Sequence, residues 1–148
     1  MSTTTEQRAD TLNSLLRGEI SAVETYDKAI KKVGDDPRGS QLQQMRTDHA
    51  DAVARLREHI RAHTTEEPAE SSGAWGVWAK CVQTTANLFG DKAAMKALKE
   101  GEEHGIKEYE KALEDESLTP ACREEIRSNL LPRTRSHVTI LDSLMDAE

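Results

Sequence analysis

The sequence contains few of the residues that interrupt helices. Only 4 prolines and 8 glycines occur among its 148 residues, and these two residue types are the least favourable in a helix interior. Hydrophobic residues make up 36% of the chain and charged residues 32%, a balance that suits amphipathic helices. The composition therefore favours an all-α fold, and the length is that of one domain.

The sequence also lacks long hydrophobic runs. No stretch approaches the roughly 18 apolar residues that a membrane span requires, and the first residues carry no secretory signal pattern. The net charge of −7 has no compensating basic patch, which argues against nucleic acid or an anionic membrane as a partner. We expect a cytoplasmic protein with neither kind of partner.

Cysteine is scarce as well. Cys81 and Cys122 belong to no CxxC or other metal-ligand pattern, and a reducing compartment disfavours a disulfide between them. We interpret both as packing residues.

Two histidines, His59 and His63, stand four residues apart near the predicted end of the second helix. This spacing can bind a metal, but we interpret the pair as solvated cations that stabilise a helix C-terminus.

One segment of the chain occurs twice. Residues 18–30 recur as residues 101–113, and both copies begin with Gly-Glu and continue to Tyr-acid-Lys-Ala. Such self-similarity indicates a doubled helical unit. The repeated glutamates, Glu19 and Glu102, fall on the apolar stripes of their predicted helices, where an unpaired charge is costly. The identity of the group that neutralises them is therefore the central functional question.

Helix signals divide the single domain into two hairpins and a crossover. Gly34 and the turn after it end the first helix at Val33, and Thr119 with Pro120 begins the fourth. Pro132 falls inside the fourth helix and should bend it. We predict hairpin one at about residues 6–63, the crossover at about 64–90 and hairpin two at about 91–146.

The crossover contains both tryptophans and the only phenylalanine of the chain. This apolar segment predicts a short extra helix. The crossover is long enough to run back along a whole helix, so the second and third helices are expected to be parallel.

Two histidines lie on the predicted apolar stripes of the other two helices, as the repeated glutamates do on theirs. His49 lies on the apolar stripe of the second helix, and His137 has the corresponding position on the fourth. Carboxylates and imidazoles together are suitable ligands for Fe, Mn or Zn. The inward-facing candidates for a metal site are Glu19, His49, Glu102 and His137.

This layout resembles the ferritin and rubrerythrin superfamily. In both copies of the repeat, Gly-Glu is followed seven residues later by Tyr, at Glu19/Tyr26 and at Glu102/Tyr109. The Ser-Gly, Trp-rich crossover and the Gly-Asp before the third helix are similar to those of an uncharacterised bacterial branch, filed as a domain of unknown function. The resemblance implies a ferritin-like antiparallel four-helix bundle made of two pseudo-repeated hairpins.

The same resemblance implies roles for individual residues. In that superfamily two metal ions lie between one glutamate from each of two helices and a Glu-x-x-His pair from each of the other two. Glu19 and Glu102 would then bridge the metal ions, and His49 and His137 would be terminal ligands. We expect Tyr26 and Tyr109 to be core rings whose hydroxyls reach a polar neighbour, and the alternative is a role as radical or as hydrogen-bond donor to the ligands.

The chain departs from the metal-ligand pattern of that superfamily at two positions. Three residues before each histidine, where the pattern has glutamate, this chain has Arg46 and Thr134. Asp48 cannot simply substitute, because one residue along a helix turns the side chain about 100° away. Arg46 or Arg133 could instead lie against the repeated glutamates and neutralise them.

Two classes of function remain open. We favour a non-enzymatic binding or stress-associated protein whose degenerate polar core is locked by salt bridges to Arg46 and Arg133, with no catalytic residue and no cofactor. The alternative is a metal-binding redox protein of the rubrerythrin or ferritin type, with a reduced Glu/His site for Fe, Mn or Zn. Four protein ligands suit one ion better than a pair of irons. Either class is compatible with a homo-oligomer such as a dimer.

Overall fold

The computed structural model describes residues 3–34, 36–72 and 91–146, and every regular element in this part of the chain is helical. The predicted all-α class is thus confirmed. The elements are α1 (Thr4–Val33), α2 (Gly39–His63), α3 (Asp91–Ala112), α4 (Pro120–Glu125) and α5 (Leu131–Asp146), with a π-helical turn (Ile126–Leu130) between the last two. No helix in the described residues is both long enough and apolar enough to cross a membrane.

Both ends of α1 are set by local hydrogen bonds. Thr3 accepts a hydrogen bond from the Glu6 amide at 3.0 Å and so caps the start of the helix. The helix ends at Val33, as predicted, and the Gly34 amide donates to the Ile30 carbonyl at 3.1 Å. Gly34 has a φ of 59°, a backbone conformation that glycine adopts without strain. This residue therefore lets the chain turn directly towards α2.

Helix α4, the π turn and α5 form one continuous helical run. Thr119 caps its start by accepting a hydrogen bond from the Cys122 amide at 3.2 Å. Further along, the Leu131 amide donates to the Ile126 carbonyl, five residues back, which is the hydrogen bond of a π turn. The next residue is Pro132, whose ring crowds the carbonyl four residues before it. The irregularity expected at this proline is therefore a widened turn that makes room for its ring.

The helix pairs α1–α2, α1–α3 and α3–α5 are antiparallel. The short turn after α1 makes α1 and α2 an antiparallel hairpin. Thr11, near the start of α1, donates to Asp115, just beyond the end of α3, at 2.5 Å, so α1 is antiparallel to α3 as well. Helices α3 and α5 pair in the same way, with Arg135 bonded to Glu110 at 3.1 Å. Since α1 is antiparallel to both α2 and α3, these two helices run in the same direction.

The core consists of two apolar layers with a polar layer between them. On each long helix, a buried ionisable residue separates the side chains that enter one apolar layer from those that enter the other. The first apolar layer includes Leu12, Leu16, Leu56, Ile60, Tyr109 and Ile126. The second includes Tyr26, Met45, Met95, Leu98 and Leu141. Burial of these apolar groups encloses the ionisable groups from both sides.

One prediction falls on a part of the chain that is not described. The predicted extra helix of the crossover, both tryptophans and Cys81 lie in residues 73–90, outside the described residues. The described part of the crossover, residues 64–72, is not helical.

Gly34→Ala should lower the free energy of unfolding by about 1–3 kcal/mol, because a side chain strains the positive-φ backbone. An added Cβ would have open space at this position, so the expected loss is conformational and not steric. Gly39→Ala is the matched control, because its Cβ would make only ordinary contacts, the nearest at 3.6 Å. Denaturant unfolding of both variants measures the difference. Equal losses in the two variants would contradict a special role for Gly34.

Candidate functional site

The four ionisable residues on the apolar stripes meet in the polar layer of the bundle. Glu19, His49, Glu102 and His137 come from four different helices. All four are buried, and Glu102 has a fractional exposure of 0%. The structure thus brings together the residues that the sequence pattern singled out.

Glu102 lies at the centre of this layer, between two histidines. Its Oε1 is 2.5 Å from His49 Nε2, and its Oε2 is 2.8 Å from His137 Nδ1. The second nitrogen of each ring contacts another carboxylate. His49 Nδ1 is 2.5 Å from Glu19 Oε2, and His137 Nε2 is 2.8 Å from Asp48 Oδ2. Each imidazole is therefore bracketed by two carboxylates.

Protons on His49 link two of these carboxylates. An ionised carboxylate only accepts hydrogen bonds, so His49, which lies between Glu19 and Glu102, carries a proton on each nitrogen. Burial alone would lower the pKa of His49, but the charges of Glu102 and Glu19 raise this pKa well above its usual value. Burial alone would raise the pKa of Glu102, yet His49 and His137 together lower it to about 2. The layer is therefore an ionic network and not a set of neutral groups.

Two buried tyrosines lie beside the network. The Tyr109 hydroxyl donates to Glu19 Oε1 at 2.5 Å, and the Tyr26 hydroxyl donates to Met45 Sδ at 3.7 Å. Burial, and then the neighbouring carboxylates, raise the pKa of both phenols, so both remain protonated donors. Each glutamate is thus held by partners from more than one helix.

Arg46 does not neutralise the glutamates. Its Nε donates to Asp27 Oδ1 at 2.5 Å, and the two side chains are 33% and 46% exposed. The expectation that Arg46 contacts Glu19 or Glu102 is therefore wrong. The reason is helical geometry, since Arg46 is turned about 100° from the buried side chain before it and so reaches the rim between α1 and α2.

Arg133 lies beside the polar layer but bonds to residues of α2. Its Nη2 donates to Asp51 Oδ2 at 3.0 Å, and its Nη1 donates to the backbone carbonyl of Asp48 at 3.1 Å. The same Nη1 is 3.7 Å from Asp48 Oδ1. Arg133 does not make the expected direct contact with a glutamate in the described part of the chain. It acts on the layer through Asp48, which contacts His137.

Asp48 is the member of the site that sequence reasoning missed. Its position one residue before His49 turns its side chain away from Glu102, as helix geometry predicts, but towards α5 and His137. The available signal in the sequence was an acidic residue next to a histidine on the apolar stripe of a helix. That signal does not say which helix the acid faces.

The cluster has the composition and spacing of a metal site. Donor atoms of His49, Glu102 and His137 all lie within 4.8 Å of one another. A cavity of about 10 Å³ adjoins the two histidines and is lined in part by Glu19 and Asp48. This volume is roughly the space of one water molecule. Donors this close can converge on one ion. The site is therefore a candidate metal centre.

The stability of chelator-treated protein should decrease at both acidic and alkaline pH. The pKa of Glu102 is lowered from 4.5 to about 2, so its contribution is full above pH 4.5 and is lost as the pH falls through 2. The pKa of His49 is raised, so its contribution is full below 6.5 and is lost as the pH rises through the folded-state pKa. Urea unfolding across pH should therefore show a plateau between about 5 and 6.5. An acid decrease of equal size in Glu102→Gln would contradict this origin.

Arg46→Met should change the free energy of unfolding by less than about 1 kcal/mol, because the pair with Asp27 is partly exposed. Tyr109→Phe should cost about 1–3 kcal/mol, because buried Glu19 loses a hydrogen-bond donor. Urea unfolding of the two variants measures both effects. A larger loss in Arg46→Met than in Tyr109→Phe would show that Arg46 is a core charge partner after all.

Comparison with known proteins gives a family but no characterised relative. No curated protein and no solved structure gives a significant match to the chain. A family model matches residues 7–115, which include Glu19, His49 and Glu102 but not His137. The match covers most of the chain, and the protein therefore belongs to the family described as a domain of unknown function (DUF2383).

Proposed function

We propose that this protein binds one divalent transition-metal ion, Fe, Mn or Zn, between His49, Glu102 and His137. The observation that carries the proposal is the convergence of two imidazoles and a carboxylate within 4.8 Å in a buried layer. This ligand set suits all three metals. Three protein ligands leave further positions for water or for a second carboxylate.

The outer nitrogens of the two histidines support this assignment. His137 Nε2 is 2.8 Å from Asp48, and His49 Nδ1 is 2.5 Å from Glu19. Histidines that bind metals usually donate their other ring nitrogen to a carboxylate or carbonyl, which fixes the ring and its tautomer. We therefore assign Asp48 and Glu19 positioning roles. For Glu19 this replaces the bridging role that the family resemblance implied.

The residues present favour one ion over a pair. A pair would need further carboxylates, and the positions that supply them in ferritins carry Arg46 and Thr134 here. Arg46 is bonded to Asp27, and Thr134 Oγ1 donates to the Leu130 carbonyl at 2.8 Å. Neither side chain offers an ionised oxygen ligand.

The proposal includes a ferritin-like relationship between the two hairpins. Each hairpin contributes one glutamate and one tyrosine: Tyr109 donates to Glu19, and Glu102 lies near enough to Tyr26 to raise the pKa of that phenol further after burial. Each tyrosine of the repeat thus lies near the glutamate of the other copy, as expected for a duplicated unit. The parallel direction of α2 and α3 is also that of ferritin-like bundles with one long crossover.

A binding role suits this site better than turnover of an organic substrate. The adjoining cavity of about 10 Å³ has room for roughly one water molecule. A bound ion would supply Lewis-acid or redox chemistry to small molecules only. Ligation by His49 Nε2 requires that nitrogen to lose the proton that it donates to Glu102, so metal uptake releases protons.

A second function is favoured by the completeness of the hydrogen bonding. Among the described residues, Ser117 Oγ is the single buried side-chain polar atom without a partner, so the polar layer itself is fully bonded. An ionic core of this kind can fix the register of the helices without a metal. The protein would then be a non-enzymatic bundle whose function is to bind a partner.

Elemental analysis of untagged protein separates the two functions. We expect Fe, Mn or Zn in the folded protein, and Glu102→Gln should lose about one equivalent of it because the substitution removes the central ligand charge. Glu103→Gln is the matched control, since Glu103 is the next residue and is exposed. Asp48→Asn should weaken affinity by about 10–100-fold in chelator competition, because it frees the outer nitrogen of His137.

One result would overturn the proposal of a metal ion in the polar layer. Folded wild-type protein would then contain, and would take up on dialysis, no more Fe, Mn or Zn than folded Glu102→Gln. The ionic core would then be the remaining function of the layer.

A further inference from the structure

A second cluster of metal-ligand side chains lies where the end of α2 meets α4. His59 and His63 are four residues apart on one face of α2, and their rings stack with centroids 5.7 Å apart and planes inclined by 19°. Cys122 Sγ lies 3.6 Å from His59 Nδ1. One donor atom from each of the three residues lies within 4.8 Å of the other two. Two imidazoles and a thiol therefore converge at this point.

The backbone around this cluster is held by two arginines. Arg8 donates to the carbonyls of His63 and Ser117, both at 2.7 Å, and so ties the end of α2 to the loop before α4. Arg123 donates to three carbonyls in the same loop. The cluster is therefore built on fixed backbone.

The interpretation of these residues from sequence does not account for their arrangement. Cys122 was expected to be a packing residue, and it is buried, but its sulfur faces a ring nitrogen. His59 and His63 were expected to be solvated cations, and they are half-buried against each other. A packing role for Cys122 and a helix-capping role for the histidines do not explain why a thiol and two imidazoles converge.

The distance between Cys122 and His59 matches that between two ligands of a tetrahedral zinc ion. Zinc binds thiolate sulfur at about 2.3 Å and imidazole nitrogen at about 2.0–2.1 Å, which places sulfur and nitrogen about 3.5 Å apart in a tetrahedral site. The observed separation between Cys122 Sγ and His59 Nδ1 is 3.6 Å. The other nitrogen of His59, Nε2, is 3.5 Å from Glu125 Oε1. A carboxylate at that position orients a metal-bound imidazole.

We propose that Cys122, His59 and His63 form a zinc site that is separate from the polar layer, with Glu125 positioning His59. Formation of the sulfur–zinc bond breaks the S–H bond and releases its proton to solvent, without a change of oxidation state. Water completes the tetrahedron. Because α2 and α4 belong to different hairpins, the ion would join the two hairpins at this end of the bundle.

Titration of the full, reduced chain with cobalt(II) tests the proposal. Thiolate-to-cobalt charge transfer absorbs in the near ultraviolet, whereas the ligands of the polar layer contain no sulfur. We expect a charge-transfer band that zinc abolishes, that is lost in Cys122→Ser and that is retained in Cys81→Ser, the matched control. In Glu102→Gln the band should remain and saturate at about one equivalent of cobalt.

A second variant keeps the test decisive if Cys122→Ser does not fold, as judged by circular dichroism. His63→Gln changes a half-buried residue at the end of α2 and should weaken zinc binding by about 100-fold or more in chelator competition, while Glu125→Gln should weaken it by about 10-fold. Three results would each overturn the proposal: no charge-transfer band in the wild type, a band that persists in folded Cys122→Ser, or a band that is lost in Cys81→Ser.

Discussion

The bundle depends on one carboxylate that two imidazoles share. Glu102 has no exposed surface, and an unpaired charge in such a place would cost several kcal/mol. Its lowered pKa means that the bonds to His49 and His137 outweigh the cost of burial. Because these three residues lie on three helices, the same bonds fix the relative positions of α2, α3 and α5. Glu19 adds α1 through His49. The same hydrogen-bonded ion pairs thus neutralise the buried charges and align the helices.

This constraint also explains the layered core. The apolar layers on either side exclude water from the network, which strengthens each hydrogen bond and increases the cost of breaking one. The network in turn disfavours other alignments, because a helix displaced by one turn would place an ionised group among aliphatic side chains. The apolar layers supply most of the stabilisation, whereas the ionic layer makes one arrangement preferable to its neighbours.

Apolar periodicity and helix-end signals were sufficient to predict the four long helical segments of the described residues and the end of α1 at Val33, but not the π turn in the fourth. The same periodicity also singled out the residues that meet in the polar layer, namely Glu19, His49, Glu102 and His137. It could not predict their partners. Helix geometry says that Asp48 turns about 100° from its neighbour, but only tertiary packing decides which helix it then faces. The wrong assignment of Arg46 has the same cause, since packing places Asp27 of α1 within hydrogen-bond distance of it.

The π turn between α4 and α5 separates the two clusters along the chain. The π turn contains one more residue than an α-helical turn. Because the wider turn accommodates this surplus residue, the helical segments before and after it face the directions that they would have in a regular helix without it. Cys122 before the turn and His137 after it both face α2. Deletion of the surplus residue would restore an α-helical turn and leave both side chains aimed as they are, although it would crowd the ring of Pro132. Elsewhere in the long helices the same change would rotate one end of the helix out of phase with the other.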